Sequence, residues 1–559
     1  MFFIYNRTVG NKLRLFKYRL HRFRQIDIYQ TFAKHSHAYW LGVVLLVVAV
    51  TRYIGHSQYL YSTDSALYAL AFEKYDISLH QPHPPGYPLY VLLGKLFNWV
   101  VGDANLALVL ISILFSVLSV WAIWRLANKI YGSKVAWIAT FLFVSSPLVW
   151  FHGQVALNYI VDAFFAAWFG YYIYDIIYSK KLAYTGILSS IILALGAGFR
   201  PTLAVFLLPL WLFAILRQRN LKLLVTNGLV FLGVVLVWLI PEVILSGGIK
   251  SFFRSLSTLL FTQSGVYSFS IFAKGIGELA SHLQMIFNNL QIGFGLAGLL
   301  TIFWLLSWLV PEKIHIGKIN LLNLLFWSVW IIPSLLFYLI VIFNLPGYLL
   351  IIFPALTILV AKALLAFLEF LARILPKLWQ ADKRLLNKLI IMTVLICSAW
   401  NVFIYLQPQA RHNLNKPVHY SIHQSNLLWG SLISTISREF HPQNTIIGVN
   451  QPFVHWGFPQ FQYYFPSFDI YTRIYWGFYN PDHKNWFRST DHQLVLQDEI
   501  MISPLDSRML VIQENWEKVG YPLQTTTLDR GIGELNYYDL TDPTVRELVG
   551  KIKDMVVQP

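Results

Sequence analysis

The sequence predicts a polytopic α-helical membrane protein with a smaller mixed α/β domain at its C-terminal end. Apolar residue types make up 56% of the 559 residues and charged types only 13%, against roughly 25% charged residues in a typical soluble domain. The apolar residues form long continuous runs, which indicates helices and excludes the alternating strands of a transmembrane barrel. From residue 407 onward the long apolar runs stop. This composition excludes a soluble globule, a disordered chain, a coiled coil and a fibrous protein.

About eleven apolar runs are candidate transmembrane helices, since a span requires about 20 apolar residues. The first run follows a basic segment, residues 1–37, which contains eight Lys or Arg and one acid. No short apolar stretch with a small-residue cleavage site follows that segment, so the first run is predicted to be a retained signal anchor. The predicted spans are 38–55, 104–124, 135–152, 156–178, 182–198, 202–216, 223–245, 284–309, 321–343, 349–372 and 389–406.

The distribution of basic residues predicts the orientation of these spans. If residues 1–37 are cytoplasmic, fifteen Lys or Arg fall in the connections on that side, and six are spread over the much longer opposite connections. Because cytoplasmic loops carry an excess of Lys and Arg, we expect an integral protein of the cell or inner membrane with a cytoplasmic N-terminus. The net charge of +16 then reports topology, and no nucleic-acid partner is predicted.

One apolar stretch is excluded from the spans. Residues 86–101 are short and contain Lys95, and counting them as a span would invert the charge pattern. They are predicted to form a re-entrant or interfacial helix within the first outer loop, residues 56–103.

The region after the last span is predicted to be an extracytoplasmic α/β domain. It has 12 basic and 15 acidic residues, unlike the basic remainder of the chain. A helix is predicted for 425–440, and buried strands for 444–449, 509–513 and 533–540. The predicted domains are a basic cytoplasmic segment (1–37), a transmembrane catalytic domain (38–406) and the extracytoplasmic domain (407–559).

The first outer loop concentrates residues that carry acid–base chemistry, namely Asp64, Glu73, Asp76, His80 and His83. Carboxylates close to hydrocarbon are costly to ionise and are retained mostly for function, so Asp64 is a candidate general base toward a hydroxyl. Alternatively, Asp64 caps a helix over 65–75; the two roles are compatible. His83 lies in a Pro-His-Pro-Pro-Gly bend, where it either contacts substrate or bonds to the turn backbone, and His80 is a second candidate substrate contact. Their spacing matches no strong metal motif.

Three further candidates fall on the same predicted side of the membrane. Asp162 lies about one turn into the fourth span and is a candidate substrate contact, or a helix–helix hydrogen bond. Arg200 lies at a break between two spans, where a guanidinium suits a phosphate group, or anchors the chain at the lipid headgroups. Tyr348 opens the tenth span and is a candidate substrate contact. Lys250 and Arg254 are weaker candidates for binding a lipid phosphate.

These residues converge on one membrane face, although the spans were placed without reference to them. They predict an outer-leaflet site with acid–base and phosphate-binding groups. The sequence has no phosphate-binding Walker loop, HExxH, GxSxG or EF-hand pattern, which argues against an ATPase, a zincin, a serine hydrolase and a calcium site. The one cysteine, Cys397, excludes an intrachain disulfide and a cysteine-rich zinc site.

The first outer loop also carries a family resemblance. A retained first span, a loop opening with Asp64, and the run HPPGYPLY (83–90) leading into an interfacial helix resemble the GT-C superfamily of polyprenyl-phosphate-dependent glycosyltransferases. The most similar branches are the protein O-mannosyltransferase-like and aminoarabinose-transferase-like enzymes. The resemblance covers roughly 60–220, is loose to 372, and in 407–559 is one of architecture only.

The resemblance implies a GT-C-like fold and a reaction. A lipid-linked sugar phosphate would be the donor, and an acceptor hydroxyl on a protein, lipid or glycan would attack the anomeric carbon with inversion. Asp64 matches the first-loop acid of the family, but Ser65 stands where many relatives have a second acid. Arg200 matches the phosphate-binding cation by position, and Asp162 loosely matches the acid that begins the fourth span. Some branches require a divalent metal; the sequence shows no clear cage, so no cofactor is predicted.

Two other classes of function compete with an enzyme. A transporter or flippase for a lipid-linked or anionic substrate would favour internal repeats and charges near the midplane, and neither is seen. A receptor or scaffold that binds through its C-terminal domain would leave the composition of the first outer loop unexplained.

Overall fold

The computed structural model describes residues 36–178, 182–261, 266–307, 320–343, 345–374, 383–408, 416–449, 457–472, 486–497, 500–512, 524–531 and 534–550. Most of the predicted basic segment 1–37 lies outside these residues. The chain divides into two compact units, Met1–Thr51 and Arg52–Pro559. In the first unit the described residues belong to a single helix, α1.

Helices account for most of the described chain up to residue 406. In order they are α1 (Ser36–Ile54), α2 (Thr63–Leu70), α3 (Pro88–Val101), α4 (Ala104–Tyr131), α5 (Ser133–Ser145), α6 (Pro147–His152), α7 (Tyr159–Tyr178), α8 (Leu182–Phe199), α9 (Thr202–Leu216), α10 (Leu221–Leu245), α11 (Ile249–Phe261), α12 (Ile271–Lys274), α13 (Gly277–Ser307), α14 (Leu321–Ile340), α15 (Phe353–Ile374) and α16 (Lys383–Leu406).

Eight helices in the described part of the chain are long and apolar enough to cross a membrane: α1, α4, α7, α10, α13, α14, α15 and α16. Three more predicted spans correspond to the shorter apolar helices α5, α8 and α9. The predicted polytopic helical architecture is therefore confirmed, while the count of eleven spans stays a prediction. The stretch predicted to be an interfacial helix forms α3, which is helical over 14 residues.

The third predicted span, 135–152, was wrong as a single helix. The structure has α5 and α6 instead, with Ser146 between them in an extended conformation (ψ 124°). Pro147 explains the break, because proline lacks an N–H and disfavours helical backbone in the residue before it.

The C-terminal part contains a seven-stranded mixed sheet. Its strand order is β4-β3-β2-β1-β5-β7-β6, with β1 parallel to both β2 and β5 and the remaining pairs antiparallel. The strands are β1 (Thr445–Val449), β2 (Asp469–Thr472), β3 (Trp486–Thr490), β4 (Gln493–Gln497), β5 (Arg508–Ile512), β6 (Gln524–Thr527) and β7 (Glu534–Asp539), and the helices are α17 (His419–Glu439), α18 (Phe458–Tyr464) and α19 (Pro543–Gly550).

Both faces of this sheet are covered. Ile447 and Leu510 pack on one side with Trp429 of α17, while Ile446 and Met509 belong to a second cluster on the other side. Every residue of β1 is buried, as expected for a parallel strand at the centre of a covered sheet. The predicted α/β class is confirmed. The strand predicted at 444–449 forms β1, and those predicted at 509–513 and 533–540 form β5 and β7 over their described residues. The helix predicted at 425–440 begins six residues earlier, at His419.

The sheet domain contacts the first outer loop through α18. Thr63 in the first turn of α2 donates a hydrogen bond to Gln460 (3.3 Å), and the backbone N–H of Leu60 donates to the hydroxyl of Tyr464 (2.7 Å). The beginning of α2 and the residues before it are therefore held by the C-terminal part.

Candidate active site

Asp64 lies in the first turn of α2 and is not its cap. The N-cap is Ser62, whose side chain accepts a hydrogen bond from the backbone N–H of Ser65. The alternative role for Asp64, capping a helix over 65–75, was therefore wrong, because the helix begins earlier and Ser62 fills that position. Among the described residues the carboxylate of Asp64 accepts no hydrogen bond, and its side chain is 32% exposed. Asp64 is thus available to a ligand.

The bend before α3 is fixed by backbone geometry. Asp76 caps a short 3-10 turn by accepting a hydrogen bond from Ser78 N–H (2.9 Å), and Gln81 pairs with Asp76 through the backbone (3.0 Å). Gly86 follows with φ +119°, and a Cβ at this position would lie 1.6 Å from Oε1 of Glu242. Asp76 therefore has a structural role, and only glycine fits where the chain turns toward α3.

His83 is presented by this bend to Asp64. The Nδ1 of His83 lies 3.7 Å from Oδ1 of Asp64, and its Nε2 is 3.0 Å from the hydroxyl of Tyr87. The ring of Tyr68, one turn after Asp64 on α2, packs against the rings of His83 and Tyr87 at centroid distances of 5.5 and 5.4 Å. These side chains form a small aromatic cluster around the carboxylate.

Arg200 and Asp162 form a buried ion pair. Nη1 of Arg200 donates to Oδ2 of Asp162 at 2.7 Å, and the two side chains are 6% and 1% exposed. Arg200 also lies over the ring of Tyr159, 4.1 Å from its centroid, and 5.7 Å from that of Tyr348. Burial opposes the charge of Arg200, but the carboxylate of Asp162 more than compensates, so the pKa of Arg200 is raised. The guanidinium is a fixed positive charge among aromatic faces.

Asp64 and Arg200 act on the same side chains. Burial lowers the pKa of His83, an effect opposed by the charge of Asp64 and reinforced by that of Arg200. Burial raises the pKa of Tyr348 to about 12, and burial also raises the pKa of Tyr87. For both tyrosines, the charge of Arg200 lowers the pKa and the charge of Asp64 raises it. The structure therefore brings together the residues predicted to converge: Asp64, His83, Asp162, Arg200 and Tyr348.

Three predicted site residues lie apart from this group. His80 is buried behind His83 in a left-handed conformation (φ 57°), and burial lowers its pKa to about 3. Lys250 and Arg254 are exposed, one turn apart on α11, which packs on the turn at 77–79 and on its neighbouring helices. The structure does not bring these two cations to Arg200.

The structure also adds residues that the sequence analysis did not single out. Glu242 is 2% exposed near the end of α10 and accepts a hydrogen bond from Tyr75 (3.3 Å) directly beneath Gly86. An acid inside an apolar run was a readable signal for Glu242. Tyr87 lies in the run HPPGYPLY, which was a readable signal for it. Tyr159 gave no such signal, because the sequence has 31 tyrosines and only packing shows which of them face the site.

Within the residues that the structure describes, no group of three or more His, Cys, Asp or Glu side chains is arranged to hold a metal ion.

Part of the chain is similar in sequence to known proteins. Residues 80–244, which include the bend, Asp162 and Arg200, match a family model described as dolichyl-phosphate-mannose-protein mannosyltransferase. The chain is 25% identical over 346 residues to protein O-mannosyl-transferase tmem260 of Dictyostelium discoideum, covering 54% of this chain and 40% of that protein. The chain thus spans well under half the length of this curated relative.

The fold matches solved structures over most of its length. ArnT from Cupriavidus metallidurans bound to undecaprenyl phosphate aligns with a TM-score of 0.56 at 12% identity, covering 89% of this chain and 97% of that chain. The apo state of the same protein aligns with a TM-score of 0.53 at 13% identity, covering 90% and 98%. The chain has the GT-C fold. The predicted resemblance to GT-C glycosyltransferases is confirmed.

Proposed function

We propose that this GT-C protein transfers a sugar from a polyprenyl-phosphate-linked donor to an acceptor hydroxyl at the outer face of the membrane, with inversion at the anomeric carbon. The observation that carries the proposal is the placement of two opposite charges in one site. The partly exposed carboxylate of Asp64 lies 3.7 Å from His83, and the buried guanidinium of Arg200 lies 5.7 Å from the ring centroid of Tyr348. A base and an anion-binding cation at one site are what this transfer requires.

Asp64 is the general base of the proposed reaction. Its carboxylate removes the proton of the acceptor hydroxyl while that oxygen forms a bond to the anomeric carbon. The bond between the anomeric carbon and the phosphate oxygen breaks, and its electron pair leaves with the polyprenyl phosphate. Because Asp64 is partly exposed and accepts no hydrogen bond from the described residues, an acceptor can reach it.

Arg200 binds the leaving phosphate. A guanidinium has five N–H donors in a fork that matches phosphate, and Nη1 is the atom held by Asp162. Negative charge grows on the phosphate as the glycosidic bond breaks, and a fixed positive charge in a water-poor site stabilises it strongly. Asp162 then acts as a positioning residue for Arg200 in place of the predicted substrate contact, while Tyr348 and Tyr159 line the cation.

The likeness to ArnT supports a lipid-linked donor, since that protein was crystallised with undecaprenyl phosphate.

Lys250 and Arg254 are exposed on the amphipathic helix α11 and suit the phosphate of a lipid headgroup at the membrane surface. The basic flanks of the helices support a cytoplasmic N-terminus, with the sheet domain and the first outer loop on the opposite side of the membrane. The partners in this proposal are the bilayer, the polyprenyl-phosphate sugar and an acceptor protein, lipid or glycan.

The central test is Asp64→Asn, with Asp103→Asn as matched control. Asp103 lies in the same loop and caps α4 through Leu106 N–H (2.6 Å), a role that Asn fills equally well. Purified protein in liposomes is given radiolabelled polyprenyl-phosphate sugars one at a time, with a membrane extract as the source of acceptor. We expect labelled product from the wild type and the control and a loss of about 10²-fold or more in Asp64→Asn. Full transfer by Asp64→Asn would refute the assignment of the base.

The same assay separates the proposal from a transporter. Movement of labelled donor across the bilayer without formation of labelled product, for every sugar tested, would contradict the proposed transfer.

Arg200→Lys keeps a positive charge but loses the planar fork. We expect it to raise the KM for the donor and lower kcat, and unchanged values of both would reject the role in phosphate binding.

A further inference from the structure

His83 has one ring nitrogen engaged and one facing Asp64. Nε2 lies 3.0 Å from the Tyr87 hydroxyl. Nδ1 is buried, has no hydrogen-bond partner among the described residues, and lies 3.7 Å from Oδ1 of Asp64. That distance is too long for a direct hydrogen bond and is short enough for one ligand hydroxyl to reach both atoms. An unsatisfied buried nitrogen beside a carboxylate is a place where a ligand group is expected.

We propose that His83 and Asp64 together form the proton acceptor of the reaction, and that Tyr87 is the positioning residue that fixes the tautomer of His83. This inference rests on the proposed function and extends it, since Asp64 alone would otherwise hold the proton. Which ring nitrogen of a histidine carries the proton is set by the hydrogen bond that the other makes. When Nε2–H donates to the Tyr87 oxygen, the lone pair of Nδ1 points to the gap beside Asp64.

The step balances within this pair. The acceptor oxygen forms its bond to the anomeric carbon and releases its proton to Oδ1 of Asp64. The two side chains then move from 3.7 Å to hydrogen-bond distance, and Nδ1 of His83 takes the proton. The imidazolium donates from Nδ1 to the regenerated carboxylate and from Nε2 to the Tyr87 oxygen. Solvent removes the proton after the products leave. The electron pair of the broken bond leaves on the polyprenyl phosphate, as before.

The surroundings keep His83 neutral before the reaction. Burial lowers its pKa, so the ring is uncharged near neutral pH and its lone pair is free. Asp64 opposes this shift, which favours the ring as a proton acceptor only while the carboxylate is charged. The titratable and charged groups that face His83 are Asp64 and Tyr68 from α2, Tyr87 and His80 from its own loop, and Arg200 from the break between α8 and α9.

The test compares His83→Gln, Tyr87→Phe and the control Tyr90→Phe. Tyr90 packs on the same Tyr68 ring at a centroid distance of 4.9 Å, so its variant loses a hydroxyl from the same cluster without touching the pair. Each protein is assayed in liposomes with the radiolabelled polyprenyl-phosphate sugar that the wild type uses, from about pH 5 to about pH 9. The kcat and the KM for the donor are fitted separately.

We expect His83→Gln to lower kcat about 10²-fold with an unchanged donor KM. The acid limb of its pH profile should also move to lower pH, because a carboxyl alone binds protons less tightly than a pair that includes imidazole. Tyr87→Phe, which removes a single oxygen, should lower kcat about tenfold, and Tyr90→Phe should keep wild-type kinetics. A merely structural role for His83 would change the amount of folded protein but not the pH profile.

The inference is overturned if His83→Gln keeps the wild-type kcat and acid limb, or if Tyr90→Phe reproduces the loss seen with Tyr87→Phe. The failure of the proposed function is distinguishable from this result. An inactive Asp64→Asn with a fully active His83→Gln would reject the pair and leave Asp64 as the base, whereas an active Asp64→Asn would reject Asp64 itself.

Discussion

Removing the carboxylate of Asp162 should destabilise the protein far more than removing another acid from the same helix. Asp162→Ala leaves the guanidinium of Arg200 buried without the partner that lies 2.7 Å away. Breaking a buried ion pair by deleting one member costs about 3–5 kcal/mol, because an uncompensated charge stays out of water. The flanking rings of Tyr159 and Tyr348 recover only part of this, since a cation–π contact is worth about 0.5–2 kcal/mol.

Asp175 provides the matched control at the other end of α7. It pairs with Lys129 at 2.6 Å, nearly the same distance, but the two side chains are 27% and 20% exposed. Water screens such a pair, so Asp175→Ala should cost about 0–1 kcal/mol. The two variants therefore share the helix, the substitution and the length of the lost contact, and differ in burial.

The measurement is the unfolding of each purified variant in the same detergent, followed by heat and by denaturant. A cost of about 3–5 kcal/mol lowers the ratio of folded to unfolded protein by about two to four powers of ten. The double variant Asp162→Ala/Arg200→Ala should be more stable than the sum of the single effects predicts, because it leaves no charge unpaired. Equal losses for Asp162→Ala and Asp175→Ala would refute the reasoning from burial.

Three further outcomes are expected. Gly86→Ala should destabilise the protein by well over the roughly 1–2 kcal/mol that a left-handed backbone alone costs, because the new Cβ would collide with the buried carboxylate of Glu242. The control is Gly102→Ala, at φ +71°, where a Cβ would have no heavy atom within 4 Å, and it should show only the backbone cost in thermal unfolding. Burial lowers the pKa of His80 to about 3 in the folded protein, against 6.5 in the unfolded chain. Because the unfolded state binds more protons between these two values, the stability of the fold decreases as the pH is lowered through that window. His80→Gln should lose less free energy of unfolding than the wild type between about pH 7 and about pH 4. An identical loss would contradict the burial of a neutral ring. Tyr464→Phe removes the hydroxyl that accepts from Leu60 N–H and should speed hydrogen exchange of that amide, whereas unchanged exchange would show that the contact does not protect it.

The membrane helices were predictable because burial in lipid demands continuous apolar runs, and the sequence shows these directly. The break at Ser146 was missed because hydropathy continues across Pro147, although the proline itself was a readable signal. In the sheet domain, the buried strands β1 and β5 were predicted from their apolar runs. The strands β2, β3, β4 and β6 were not, because edge and mixed strands depend on pairing partners that are distant in the sequence.

The candidate site was predictable as a set of charges and not as a set of contacts. The predicted topology alone put Asp64 and Arg200 on the same predicted side of the membrane. The sequence could not show that Asp162 neutralises Arg200, since the two residues are 38 positions apart and the pairing depends on how α7 packs beside the end of α8. Nor could it show that Ser62 caps α2 in place of Asp64, because both residue types are favoured caps and lie two positions apart.

The contact between α18 and α2 limits how freely parts of this chain can be exchanged with those of its relatives. Gln460 and Tyr464 reach residues within four positions of Asp64, so the sheet domain helps to define where the acid stands. A chimaera that joins these membrane helices to the C-terminal part of another GT-C protein would lose both hydrogen bonds unless the first outer loop were transplanted with it. The C-terminal part and the first outer loop therefore have to be exchanged together, although Thr63 and Gln460 are 397 positions apart in the chain.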